Sequence, residues 1–502
     1  DIETREGQAS SRWAPIFIGL PRKRCPAMAT TAATGSELPT YVPATIVGHE
    51  INSNTIEDGE GSDIETREAW DSDDEVDMKP GIEWWQAAFS LVIVVIGAGV
   101  MALPNVPLKG GMVPSLFALV ACGATITESG LTMWKGIMAG NKGAPVGKKN
   151  IVSYEDFGRA GFGQVGEASV TIMVVLYFIG LSSSFGVLIA ESLAHLLGHT
   201  VSAKMALLYL SPAFGLLAML PNVTAVAKLV PLAIIAIVAL CSIIVLKSFM
   251  DAQRWQIWPD LEPEKLHKAW PSSPMNLGPV VAILFGSFSV NGNVPSVMCE
   301  MKDPMQFPLA LKTAMGMVGM IYLMVMGAGY YGYGEFTQSD IVDSLSYFPA
   351  NQTQAFNEPF RKWTGGSAAV LGNVMSVLLL VKLVIGLPLN LMVVFYSFQT
   401  FRYTKDYVPA GSAANKLMRL AVVALAVVVG LVVTNFSQLF ALVCAIFGPL
   451  LQTVLPLFFS YRIRRVRSMC LRQCVHYAML VVAGFTLTIG TYESVVDIVG
   501  GH

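Results

Sequence analysis

The stretch VIVVIGAGVMALPN, Val92 to Asn105, decides how this chain is read. Its flanks are as apolar as a buried helix requires. Yet Gly97 and Gly99 stand at its centre and Pro104 near its end. Glycine costs a helix interior about 1 kcal/mol and proline about 3. A helix weakened in this way gives up regular backbone hydrogen bonds at one chosen place.

The surroundings show which solvent that helix meets. Of the 502 residues, 53% are hydrophobic and only 14% are charged, and the mean hydropathy is +0.56. Soluble domains carry about 25% charged residues. The charges that exist are concentrated in residues 1–80, where runs such as EDGEGSDIETREAWDSDDEVD (Glu57–Asp77) are polar and acidic. From Trp84 onward, apolar segments of roughly 17–30 residues alternate with short polar loops, the pattern of a polytopic membrane protein. Eleven spans are predicted, at roughly 85–107, 112–138, 168–197, 204–220, 224–247, 277–298, 310–334, 367–397, 417–434, 437–460 and 475–499. The expected fold is therefore an all-α integral membrane protein, with a transmembrane domain over 83–499.

Residues 1–80 read as a disordered cytosolic tail. Within it, residues 1–27 precede Met28, the first methionine, and read as extraneous to the native chain. With the tail inside, the inner loops hold 16 lysines and arginines and the outer loops 8. That bias predicts a cytosolic N-terminus and an exoplasmic or luminal C-terminus. The segment YRIRRVRSMCLR (Tyr461–Arg472) supplies much of it, as a positive-inside anchor or a contact for anionic lipid. Asn351-Gln352-Thr353 is a glycosylation sequon on the outer side.

Enzyme chemistry has no foothold. The seven cysteines form no disulfide framework, and Cys470 and Cys474 read as two inert thiols or as a metal or palmitoyl pair. There is no zinc ligand set, Walker loop, nucleophile elbow or HExxH. Nothing in the chain calls for a cofactor, and no basic and aromatic patch suggests nucleic acid.

The sixth span breaks as the first does. LFGSFSVNGNVPSV (Leu284–Val297) gathers Gly286, Ser287, Ser289, Asn291, Gly292, Asn293 and Pro295 into one short stretch. Spans 1 and 6 open two successive sets of five. Discontinuities at matching positions of two halves point to the binding site of a secondary transporter. Unwound backbone groups need partners that lipid does not offer, and a polar ligand in a cavity does. Half-helix N-termini favour a carboxylate and half-helix C-termini an ammonium. An amino acid carries both. The competing account is that Gly97 and Gly99 only let two helices approach closely.

These residues also resemble a known family. IGAGVMALPN (Ile96–Asn105) is similar to the first-helix signature of the amino acid/auxin permease family. VPSVMCEMKDPMQFPLALKTAMGMVGMIYLMVMGAGYYGYGE (Val294–Glu335) resembles its sixth-to-seventh helix region, YEDFGRAGFG (Tyr154–Gly163) the loop before its third helix, and GLPLNLMVVF (Gly386–Phe395) its eighth helix. The resemblance covers about residues 83–499. One departure stands out: a glutamate common in that family three residues before the turn's methionine is Met298 here, with Glu300 the nearest acid.

The resemblance implies a LeuT-like 5+5 inverted repeat plus one extra helix, and alternating-access transport of a small, neutral amino acid. Gly97, Ala98, Gly99 and Val100 would offer backbone to the substrate. Tyr177, Ser287, Phe288, Ser289 and Asn291 would complete the site. A proton gradient or plain exchange would drive transport. Plasma, vacuolar and lysosomal membranes all remain open. The rival is an amino acid sensor that signals through its N-terminal tail to a cytosolic partner.

Other polar groups fall inside the spans. Lys382 lies in LLLVKLVIGLPLN with Gly386 and Asn390 on the same helix face, and an intramembrane lysine marks function. Lys382 and Asn390 are the coupling candidates, against a lysine that snorkels to the interface. Tyr177, Ser184 and Glu191 recur every seven residues, for substrate or for packing. Glu128 and Glu191 read as interfacial. His195 and His199 read as a solvated turn rather than a metal pair.

Overall fold

The computed structural model describes residues 81–142, 151–197, 200–219, 229–255, 266–337, 341, 344, 354–409, 411–464 and 470–500. The acidic tail, most of the basic segment after Arg464, His199 and the Asn351 sequon lie outside them.

Helices account for almost all of what is described. In chain order they are α1 (Trp84–Val95), α2 (Gly99–Ala102), α3 (Val106–Gly110), α4 (Met112–Gly140), α5 (Tyr154–Leu196), α6 (Ala203–Ala218), α7 (Val230–Trp255), α8 (Leu277–Ser287) and α9 (Val294–Glu300). They continue with α10 (Phe307–Tyr333), α11 (Gln354–Thr400), α12 (Ala413–Val432), α13 (Phe436–Pro449), α14 (Leu455–Arg464), α15 (Cys470–Phe485) and α16 (Thr491–Val499). Among the described residues, nine helical stretches are long and apolar enough to cross a membrane, and α1 and α6 are shorter apolar helices. Two π turns, Leu450–Val454 and Thr486–Gly490, join α13 to α14 and α15 to α16. Lipid offers no partners for backbone groups, so a bundle of hydrogen-bonded helices is the architecture this composition permits.

Tyr154–Gly163, expected to be a loop, is helical. Ser153 starts it with a reciprocal cap: its Oγ accepts from the Asp156 amide at 3.1 Å, and Asp156 accepts from the Ser153 amide at 3.2 Å. Gly163 then takes φ +63° and turns the chain into the long apolar part of α5. A side chain at Gly163 would strain that left-handed turn.

One buried core runs through the bundle. α5 packs on α11 and α13, α8 on α13, α10 on α1 and α7, and α4 on α14. Where the chain enters α1, Ile82 pairs in parallel with Met301 at the end of α9. The Ile82 amide donates to Glu300 at 2.9 Å and the Lys302 amide to Ile82 at 3.0 Å. Lys302 also meets Glu83 at 2.5 Å. The starts of the first and the ends of the sixth spans are thus tied together on one face.

Candidate functional site

Both breaks fall where the glycines, asparagines and prolines of the sequence place them. α1 stops at Val95 and helix resumes at Gly99. Between them Gly97 donates to the Val95 carbonyl at 2.7 Å and Met101 to Ala98 at 3.0 Å, closing a tight turn. α8 stops at Ser287, and Phe288–Val290 lead into the 3-10 turn Asn291–Asn293 before α9.

The two breaks touch. A Cβ on Gly99 would lie 2.6 Å from Ser287 Oγ and 3.0 Å from the Phe440 ring. Val100, Ser287, Phe288 and Asn291 are all buried. Ser287 Oγ itself donates to the Ile283 carbonyl at 2.8 Å.

Unwinding leaves carbonyls to satisfy, and Tyr322 of α10 does so at both breaks. Its buried hydroxyl faces the Val95 carbonyl at 2.9 Å and the Ser287 carbonyl at 2.8 Å, sharing one proton between the last residues of α1 and α8. Phe288 packs edge-on against the Tyr322 ring, 5.0 Å between centroids.

Gln452 serves the amides of the second break. It projects from the π turn after Pro449, where a helix widens and re-aims its side chains. Its Oε1 accepts from Val290 at 3.1 Å and Asn291 at 3.0 Å, and its Nε2 donates to Ser289 Oγ at 2.7 Å. Asn291 Nδ2 returns a bond to the Gln452 carbonyl at 2.6 Å and meets Ser129 Oγ at 3.2 Å. Tyr177 lies beside Ser289 and packs against Phe447.

The structure therefore brings Gly99 to Ser287, and Tyr177 to Ser289. Lys382 and Asn390 form a separate group on α11. The Lys382 ammonium lies 5.2 Å from the centre of the Phe185 ring on α5, and its charge reaches Cys241 on α7. Asn390 Nδ2 is buried with no hydrogen-bond partner among the described residues.

Glu128 on α4 pairs with Arg472 and faces His476 at 3.4 Å, its side chain partly exposed. Glu191 accepts from the Phe436 amide at 3.2 Å, capping the start of α13 inside the bundle. His195 is buried, not solvated, with Nδ1 2.9 Å from Ser376 Oγ. Among the described residues no cluster of His, Cys, Asp and Glu could hold a metal ion.

Sequence reasoning missed Tyr322 and Gln452. Both carried a signal: a lone tyrosine amid apolar residues in GMVGMIYLMVMG (Gly316–Gly327), and a glutamine after Gly448-Pro449 within an otherwise apolar run.

The profile of transmembrane amino acid transporter proteins matches residues 80–496, the whole span from just before α1 to α16. The chain belongs to that family. Among curated relatives, this transporter is 23% identical over 428 residues to the amino acid transporter AVT3A of Arabidopsis thaliana, covering 82% of this chain and 88% of the relative. It is 24% identical over 287 residues to AVT6B of the same plant, covering 52% and 59%. Its fold resembles an inward-facing structure of Mhp1, with a TM-score of 0.52, 11% identity, and 84% and 91% of the two chains covered. The protein is thus a multi-pass membrane amino acid transporter with a LeuT-like fold, and its family implies no enzymatic activity.

Proposed function

We propose that this transporter moves a small neutral amino acid by alternating access, without sodium, through a site built on the two touching helix breaks of a 5+5 inverted repeat. The carrying observation is the contact between Gly99 and Ser287 beside the paired carbonyls of Val95 and Ser287. Gln452 already occupies the Val290 and Asn291 amides. The substrate carboxylate therefore meets the first break, at the backbone of Gly97, Ala98, Gly99 and Val100. Its ammonium lies toward the carbonyl ends and the hydroxyls of Ser287 and Ser289. Tyr177 and Phe288 bound the side-chain space, and Asn291 holds the second break in shape through Gln452. The tight fit at Gly99 favours a small side chain.

Coupling falls to Lys382 and Asn390. Between Leu379 and Leu391 the eighth span has no serine or threonine to offer sodium, and it carries an ammonium instead. The basic bias of the loops supports a cytosolic N-terminal tail, in a plasma, vacuolar or lysosomal membrane. Uptake of radiolabelled amino acids into proteoliposomes, one at a time, tests the reading. Saturable uptake of glycine, alanine or serine is expected. Uptake confined to large or charged amino acids overturns the proposed site.

A further inference from the structure

Outside the transport pathway, one cluster of charge has no use so far. Lys135 lies on α4 seven residues beyond Glu128, on the same helix face and toward the end of the bundle where the chain enters α1. That face packs on α14: Ser460 donates to the Thr132 carbonyl at 3.0 Å, and a Cβ on Gly140 would meet Ile463 at 3.4 Å. Arg464 follows Ile463. Arg472 reaches in from α15 to Glu128. The neighbouring Trp134 donates from its indole to the Pro304 carbonyl at 3.0 Å, fastening the start of α10, which carries Lys312. The charges of Arg472, Arg464 and Lys312 all reach Lys135.

Four cations from four helices thus converge with one carboxylate, and Arg472 already engages that carboxylate. Among the described residues, no carboxylate pairs with Lys135, Lys312 or Arg464. Arg472 keeps a partly exposed side chain beside the Glu128 carboxylate. Trp134, six residues before the end of α4, is of a residue type enriched at membrane–water interfaces.

We propose that Lys135, Lys312, Arg464 and Arg472 bind a phospholipid headgroup bearing several phosphates, in the leaflet on the side where α1 begins. Three surplus positive charges suit a headgroup of several negative charges better than a monoanionic one. The ligand would bridge α4, α10, α14 and α15, so it would fasten elements of both halves and the extra helix.

The purified full-length protein in detergent provides the test, read as a shift in thermal unfolding. Dioctanoyl phosphatidylinositol bisphosphate should raise Tm by about 2–4 °C at saturating concentration, and dioctanoyl phosphatidylcholine should not. The triple variant K135Q/K312Q/R464Q should lose the rise. The pair K405Q/K416Q, one on the loop after α11 and the other in the first turn of α12, should keep it. If the triple variant elutes as aggregate, K135Q and K312Q singly should each weaken the rise. A rise that persists in the triple or in both single variants, or is lost equally in K405Q/K416Q, overturns the site. An equal rise with soluble inositol trisphosphate reassigns it to a free phosphate compound and overturns the lipid assignment.

Discussion

Gly99 and Ser287 are in contact across the two helix breaks, with room for a hydrogen and not for a methyl: a Cβ at Gly99 would stand 2.6 Å from Ser287 Oγ. Gly99→Leu should therefore abolish uptake while leaving membrane insertion intact. Uptake by reconstituted protein, normalised to monodisperse protein recovered, checks it. Wild-type transport in a well-folded Gly99→Leu variant would mean that the site lies elsewhere.

Tyr322→Phe removes the hydroxyl shared by the Val95 and Ser287 carbonyls and leaves the ring beside Phe288 in place. Buried acceptors left without a donor cost about 1–3 kcal/mol. Lower thermal stability and slower uptake are both expected. Wild-type values for both would show that other groups satisfy these carbonyls.

Gln452 makes more bonds than Tyr322 and should cost more to lose. Gln452→Leu strips two backbone amides and Ser289 of their partner together. Gln452→Glu keeps oxygens for the amides and loses only the donor to Ser289. The expected order of thermal stability is wild type, then Glu, then Leu. The reverse order of the two variants would argue against the capping role.

Replacing sodium by choline at matched pH and membrane potential should leave the initial uptake rate unchanged. A fall to background would sink the assignment of Lys382 as a resident cation and point to a sodium site elsewhere. If uptake persists, Lys382→Met should halt transport or remove its dependence on a pH gradient. An unaltered pH dependence would leave the lysine as a packing residue over Phe185.

Lys109, at the end of α3, pairs with Asp497 in α16. Both side chains are partly exposed, so the pair contributes at most about 1 kcal/mol. Lys109→Asp and Asp497→Lys should each lower thermal stability slightly, and the double exchange should recover it. A double variant no better than the worse single one would show that the charges act independently.

The breaks were legible in the sequence because their causes are local. Gly97, Gly99, Pro104 and the SVNGNVP run mark where helix is interrupted whatever packs around them. What satisfies the breaks was not legible, because it comes from far along the chain. Tyr322 lies 227 residues from Val95, and Gln452 lies 161 from Asn291. Hydropathy carries no record of such pairings. The partner of Glu128 was not legible for the same reason: Arg472 is 344 residues away. Tyr154–Gly163 looked like a loop because it is polar, but a polar segment with Ser153 and Asp156 at its start is equally suited to a short capped helix.

The two ion pairs of the last span also set an order of events during synthesis. Lys109 and Glu128 enter the bilayer with the first two spans, but their partners Asp497 and Arg472 lie 388 and 344 residues later in the chain. Until the α15–α16 span is made, those early charges lack these partners, and an unpaired carboxylate within a span is costly. Assembly of the first two helices therefore finishes only once the span that carries Arg472 and Asp497 has been made. A chain cut short before Arg472 would expose an unanswered carboxylate in its second span, a chemical mark by which incomplete molecules differ from finished ones.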